Sequence, residues 1–232
     1  VWEQSSKALM SGNEAGKYTI WNNAAWELTE LVEITVEAGM ETGHWISSEG
    51  KQLQAQREGD RWIVEVSNIP SLGYTTISFV EDVNSESLSA PFKLNESGIS
   101  TPHFEIEWNE QGQLVSIYDI NEQRQVLANG SHGNVFQVFE DKPLAHEAWD
   151  IDIYYQQKKR EVTDCRSIEV IEKGSLRCVV QFTWSYMDST IKQQMILHAH
   201  HRRIDFVTKV DWHERQQLMK VAFPVAIRAT EA

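Results

Sequence analysis

CVVQFTWSYMDSTIKQQMILHAHHRRIDFVTKV, residues 178–210, decides the fold. Cys178, Val180, Phe182 and Trp184 recur at every second position, as do Met195, Leu197 and Ala199, and then Ile204, Phe206, Thr208 and Val210. A period of two places each set on one face of a strand. The polar segments Met187–Thr190 and His200–Arg203 separate the runs and read as turns, so the three strands are consecutive antiparallel neighbours with one buried face.

The same period extends in both directions. Upstream, FEIEWNEQGQLVSIYDINEQRQVL (104–127) alternates Phe104, Ile106 and Trp108 with Glu105, Glu107 and Asn109. It turns at Asn109–Gly112 and continues as a second strand, Leu114–Asp119, making a hairpin. Further upstream Val32, Ile34 and Val36 share a face, as do Trp62, Val64 and Val66, and Ile77 and Phe79. Downstream come Val221, Phe223, Val225 and Ile227. No amphipathic helical stretch interrupts them, which argues against βαβ units and for antiparallel sandwiches. Residues 84–102 are rich in Ser, Asn, Gly and Pro, with one short strand expected over Leu88–Leu94 and a boundary over Asn95–Pro102. The opening VWEQSSKALMSG carries helix formers and ends at Gly12, as the tail of a helix would. The fold class is therefore all-β. The expected organisation is the end of a helical region over 1–15, a small sandwich over 16–96 and a larger one over 97–232.

A chain of 232 residues can bury a substantial core. Its net charge of −13 argues against nucleic acid or an anionic membrane as partner, since both call for a basic patch. The basic run Lys158-Lys159-Arg160 is short and reads as a solvated strand end. No apolar run is long enough to span a bilayer. Cys165 and Cys178 read as two reduced thiols, which suits the cytoplasm. The first residue is Val, so a piece of a longer chain is expected. Nine Trp serve either as core ballast or as sugar-stacking surface, and composition does not choose between them.

The candidate site lies in NVFQVFEDKPLAHEAWDIDIYY, residues 134–155. It reads as strand at both ends. Between them Glu140, Asp141 and Lys142 precede Trp149 and Asp150. Carboxylates accept hydrogen bonds from sugar hydroxyls and an indole covers the apolar face of a sugar ring, so the mixture suits a polyhydroxylated ligand. Equally, Trp149 could cap the core, Asp150 a turn, and the Glu-Asp-Lys run could form a local ion pair. If Asp150 and Asp152 share a strand face they point the same way and cannot flank a glycosidic bond; the better reading turns Asp150 into a pocket to orient substrate or a loop. In the HAHH run, His198 and His200 would lie about 7 Å apart on one strand face, but nothing in the spacing supplies further metal ligands. An exposed polar strand end is the simpler reading. No complete catalytic apparatus is visible, and no catalytic or metal-binding residue is assigned.

Four segments resemble glycoside hydrolase family 38 α-mannosidases: the 134–155 stretch; WNNAAWELTELVEITVE (21–37), with Leu28 where the family carries Arg; the 104–127 hairpin; and RRIDFVTKVDWHERQQLMKVAFPVAIRA (202–229), with Asp211, Trp212, His213, Glu214, Lys220, Val221, Phe223 and Pro224 in place. The resemblance implies an Ig-like small sandwich followed by an incomplete galactose-mutarotase-like supersandwich. It implies a parent that is a retaining, zinc-dependent hydrolase of mannosides, with the zinc and the reacting carboxylates in a barrel outside these residues. No cofactor is then expected in this piece. The partner would be a mannose-containing oligosaccharide met through the parent, and severed strand edges would favour self-association into a homo-oligomer. Two other functions compete. One is a carbohydrate-binding module using exposed Trp residues. The other, an autonomous mutarotase, would need a His acid and a Glu base converging in a cleft, a pairing that the scattered His residues do not offer.

Overall fold

Alternating burial is what turns these segments into sheets. The computed structural model describes residues 16–82, 89–146 and 149–227. The helix tail expected over the first 15 residues lies outside them. The chain divides into a first unit that runs to Ser89 and takes in Gly174–Leu176, and a second that holds the rest from Ala90 onward.

The first unit contains β1 (Lys17–Trp21), β2 (Leu28–Thr35), β3 (Gly43–Ser47), β4 (Gln52–Leu53), β5 (Ala55–Glu58), β6 (Arg61–Ile69) and β7 (Tyr74–Glu81). They form two antiparallel sheets, ordered β1-β7-β3-β4 and β2-β6-β5. Trp45, Val64, Val66 and Ile77 are buried between them with Ile34, Met40, Trp62 and Ile69. Trp45 meets Phe79 edge-on at 5.4 Å between ring centroids. This is the small antiparallel sandwich expected of the sequence.

The second unit contains β8 (Lys93–Asn95), β9 (Gly98–Ser100), β10 (Phe104–Trp108), β11 (Leu114–Asp119), β12 (Arg124–Gln125), β13 (Val135–Glu140), β14 (Lys159–Glu161), β15 (Cys165–Lys173), β16 (Arg177–Tyr186), β17 (Ser189–His198), β18 (Ile204–Asp211) and β19 (Gln217–Ala222). Its sheets are ordered β12-β11-β10-β9-β8, β14-β13-β19 and β15-β16-β17-β18. The expected boundary over Asn95–Pro102 carries β8 and β9 instead. They pair through Leu94↔Ile99 and join β10 through Ile106↔Ile99, so this stretch belongs to the second sheet system. The alternation along 104–108 is realised strictly, with Phe104, Ile106 and Trp108 buried and Glu105 and Glu107 exposed. β16 is central and buries both faces, including Val179. Phe182 meets Trp108 edge-on and stacks against Trp184.

Other expectations fail locally. Val210, Val221, Val225 and Ile227, read as apolar strand faces, stay exposed. The segment after Asp150 does not form a strand; a 3-10 turn spans Ile153–Gln157. Both edges of β13 are already taken, by β14 and β19, and the alternating Ile151 and Ile153 stay exposed. His198 is not an exposed strand end. It is buried, with Nε2 2.8 Å from Asp205 Oδ2, and burial pushes its pKa down against the pull of that carboxylate. Cys165 and Cys178 are free thiols, and burial raises both, Cys178 to about 11. No described helix is long and apolar enough to cross a membrane.

Candidate functional site

Pairing on both sides of β13 positions the site. Phe139 lies opposite Lys159 on β14 and Leu218 on β19, and Glu140 lies opposite Gln217. Residues 141–158 then leave the sheet as a loop and return to it, with Glu140 N–H donating to Lys158 C=O (3.2 Å) and Asp141 N–H to Gln216 C=O (2.8 Å). Inside the loop, Leu144 N–H donates to Asp152 Oδ2 at 2.8 Å, and the Trp149 and Asp150 N–H groups both reach His146 C=O.

Two grooves flank this loop. The first is lined by Glu140, Lys142, Asp152, Tyr154, Tyr155, Gln157 and Lys158. The second is lined by Val138, Phe139 and Glu140, by Lys142, Lys158, Arg160 and Arg215, and by Tyr186, Met187, Gln216 and Gln217. Glu140, Lys142 and Lys158 belong to both and form the wall between them, since the Glu140 carboxylate takes one ammonium group on each oxygen. Hydrogen bonds from Lys142 and then Lys158 hold the Glu140 carboxyl at about 2, against an ordinary 4.5. A depressed carboxylate contributes stability that is fully present above 4.5 and is lost as pH falls through about 2. We therefore expect the Glu140 side-chain carbon, followed by NMR, to titrate near 2, and the midpoint to climb toward 4.5 in Lys142→Ala/Lys158→Ala. A midpoint unmoved by that double change would break the assignment.

The other wall of the first groove is aromatic. Tyr155 packs edge-on against Phe139 at 5.2 Å, and the Lys220 ammonium sits 4.1 Å from the Tyr155 ring centre. A hydrogen bond from Lys220 to the Tyr155 hydroxyl lowers the phenol's pKa. Exposed side chains crowd the loop: Leu144, Trp149, Ile151, Ile153 and Tyr154, with Trp149 at 88% exposure. Met187 and Gln216, in the second groove, adopt left-handed φ angles of 49° and 52°. Five other non-glycine residues do the same outside this groove, and Met187 opens the two-residue turn between β16 and β17, where such angles are ordinary.

Glu140 and Lys142 line both grooves and form the local ion pair read as the plain alternative, whereas Trp149 lines neither. Trp149 does not cap the core. Asp141 carries one carboxylate oxygen buried without a hydrogen-bond partner among the described residues. Asp150 is exposed and lines neither groove; the pocket-facing, loop-ordering part expected of it falls to Asp152. Sequence reading missed Asp152 in that part, and with it Tyr154, Tyr155, Arg160 and Arg215. The Lys158-Lys159-Arg160 run was the only local signal, and strand pairing, not spacing, brings it to Glu140. Among the described residues, no three His, Cys, Asp or Glu side chains group so as to hold a metal ion.

Comparison with known proteins agrees with the all-β fold. The family model for the glycosyl hydrolases family 38 C-terminal domain matches residues 99–232. Human alpha-mannosidase 2C1 is 30% identical over 129 residues, which cover 55% of this chain and 12% of the relative. Alpha-mannosidase G of Dictyostelium discoideum is 32% identical over 127 residues, 52% of this chain and again 12% of the relative. The chain therefore spans about one eighth of the length of these curated relatives. The crystal structure of an alpha-mannosidase from Enterococcus faecalis V583 superposes with a TM-score of 0.64 at 10% identity, covering 90% of this chain and 31% of that one. A second family 38 structure from Enterococcus faecalis gives 0.67 at 11% identity, with 90% and 32% covered.

Proposed function

Because this chain belongs to glycoside hydrolase family 38, we propose that it is the non-catalytic β region of an α-mannosidase, a retaining hydrolase of mannosides. In this reading the two sandwiches support the parent's fold and the 140–158 loop forms part of the rim that substrate crosses. One observation carries the reading: Trp149 stands 88% exposed, and the same chain segment supplies Asp152 and the exposed Tyr154 to the lining of a groove. An exposed indole costs solubility unless something covers it, and a sugar ring suits it, with hydroxyls left over for the carboxylates. The mannose-containing partner follows from the same reading. The two free, high-pKa thiols favour a reducing compartment, and we place the protein in the cytoplasm.

In the full-length enzyme, Trp149→Ala should raise KM or lower kcat for a mannoside, about fivefold in kcat/KM for a loss of ~1 kcal/mol of aromatic contact. The melting temperature should stay where it was. Unchanged kinetics would remove the loop from the substrate path. A second reading, a carbohydrate-binding module, draws on the same exposed ring; it requires this chain alone to retain neutral mannosides, with retention lost in Trp149→Ala.

A further inference from the structure

The second groove does not suit a neutral ligand. Four cations line it, Lys142, Lys158, Arg160 and Arg215, against one carboxylate, Glu140, which the two lysines share. Among the described residues, Arg160 and Arg215 have no carboxylate partner. The nearest acids in sequence are engaged elsewhere: Glu161 with Lys159, and Glu214 with the Asp188 N–H and the Ser189 hydroxyl. This excess of positive charge sits on a chain of net charge −13.

All four cations are exposed, and the Lys158-Lys159-Arg160 run is the solvated strand end expected of the sequence. Arg160 lies opposite Val138, which is 2% exposed, and residues paired across antiparallel strands point to the same side of the sheet. Arg160 therefore stands on the same side of the sheet as Glu140, two residues on from Val138, with its own side chain in solvent. Tyr186 and Met187, at the end of β16 and just beyond it, close the far wall, and the Tyr186 hydroxyl donates to Gln217 Oε1 at 2.7 Å. The groove is open to solvent, and its excess of positive charge raises the local concentration of an anion. Its volume of about 270 Å³ is below the ~300–1,000 Å³ typical of drug-sized sites. A guanidinium fork matches phosphate or carboxylate oxygens in paired hydrogen bonds, and lysines add point charge.

We propose that this groove is a subsite for an anionic group, phosphate or carboxylate, carried on the saccharide that the loop faces, so that the ligand is a charged mannoside rather than a neutral one. The proposal rests on the reading of the loop as a sugar-facing rim. Arg160 and Arg215 grip the anion, and the Lys142–Glu140–Lys158 wall separates it from the ring lying along Tyr154 and Asp152.

The test is calorimetric titration of this chain with mannose 6-phosphate, mannose and inorganic phosphate. Each is repeated on Arg160→Gln/Arg215→Gln, on Trp149→Ala, and on Lys51→Gln/Lys93→Gln, which removes equal charge from other sheets; circular dichroism checks that each variant folds. Mannose 6-phosphate should bind at least tenfold more tightly than either mannose or phosphate. That binding should weaken at least tenfold in the arginine variant and in high salt, and should persist in the lysine control. Mannose 6-phosphate that binds no better than mannose, or equally well to the arginine variant, or not at all at millimolar concentration, overturns the proposal. Inorganic phosphate binding as tightly as the sugar phosphate overturns the saccharide assignment in favour of a free-phosphate site. The two readings fail differently. If Trp149→Ala weakens both sugars alike and phosphate adds nothing, the rim stands and the anion subsite falls. If the arginine variant loses the sugar phosphate while Trp149→Ala changes nothing, the rim reading falls.

Discussion

Replacing Trp184 by alanine will destabilise the second unit by about 3–5 kcal/mol, the range for emptying a buried aromatic site, and lower its melting temperature by on the order of 10 °C. Trp184 is 1% exposed. Its ring stacks on Phe182 at 5.6 Å and meets the edge of Phe136 at 5.1 Å, so truncation leaves two aromatic neighbours facing a void. Its Nε1–H donates to Gln111 C=O at 2.7 Å, which ties the turn between β10 and β11 to β16. Next to that carbonyl, Gly112 takes φ +74°, and a Cβ there would lie 2.7 Å from Trp184 Cζ2. The indole fits a turn that has no space for a side chain, so the cavity cannot be refilled cheaply. Trp184→Phe should cost far less, since it keeps most of the volume and gives up mainly one hydrogen bond of about 1 kcal/mol. Urea unfolding of the two variants settles the matter; an alanine variant within 1 kcal/mol of the parent chain would mean that the site collapses, contrary to the packing argument.

The pair Glu172–Arg177 should give an effect of similar size by a different route. Arg177 Nε and Nη2 reach the two Glu172 oxygens at 2.5 and 3.0 Å, and the side chains are only 9% and 3% exposed. Removing one partner strands a desolvated charge, which costs about 3–5 kcal/mol. Removing both in Glu172→Leu/Arg177→Met should cost much less than the sum of the single changes, because no charge is left behind. Additive losses across the double-mutant cycle would show that the two side chains do not act as a pair.

The sequence read well where one strand's own pattern decides its fate. Phe104, Ile106 and Trp108 are buried as alternation requires, and so are Cys178, Val180, Phe182 and Trp184. The nine Trp of the chain were ambiguous, and burial assigns six: Trp45, Trp62, Trp108 and Trp184 are core ballast and Trp26 and Trp149 are exposed, while Trp21 and Trp212 are half-buried and Trp2 lies outside the described residues. Ile151 and Ile153 misled because alternation records which faces a strand would present. It does not record whether a neighbouring backbone is free to receive it.

By itself, then, the chain's periodicity determined an all-β protein of antiparallel sheets, because a two-residue repeat of apolar side chains has one way to leave water. The residues around the candidate site were legible only in part. Glu140, Lys142 and Trp149 lie within ten residues of one another and could be read together. Arg160 and Arg215 lie far from each other in sequence and reach one groove only because β13 pairs with β14 on one side and β19 on the other. Register is set by packing across the whole sheet, so the charge of that groove belongs to the tertiary structure alone.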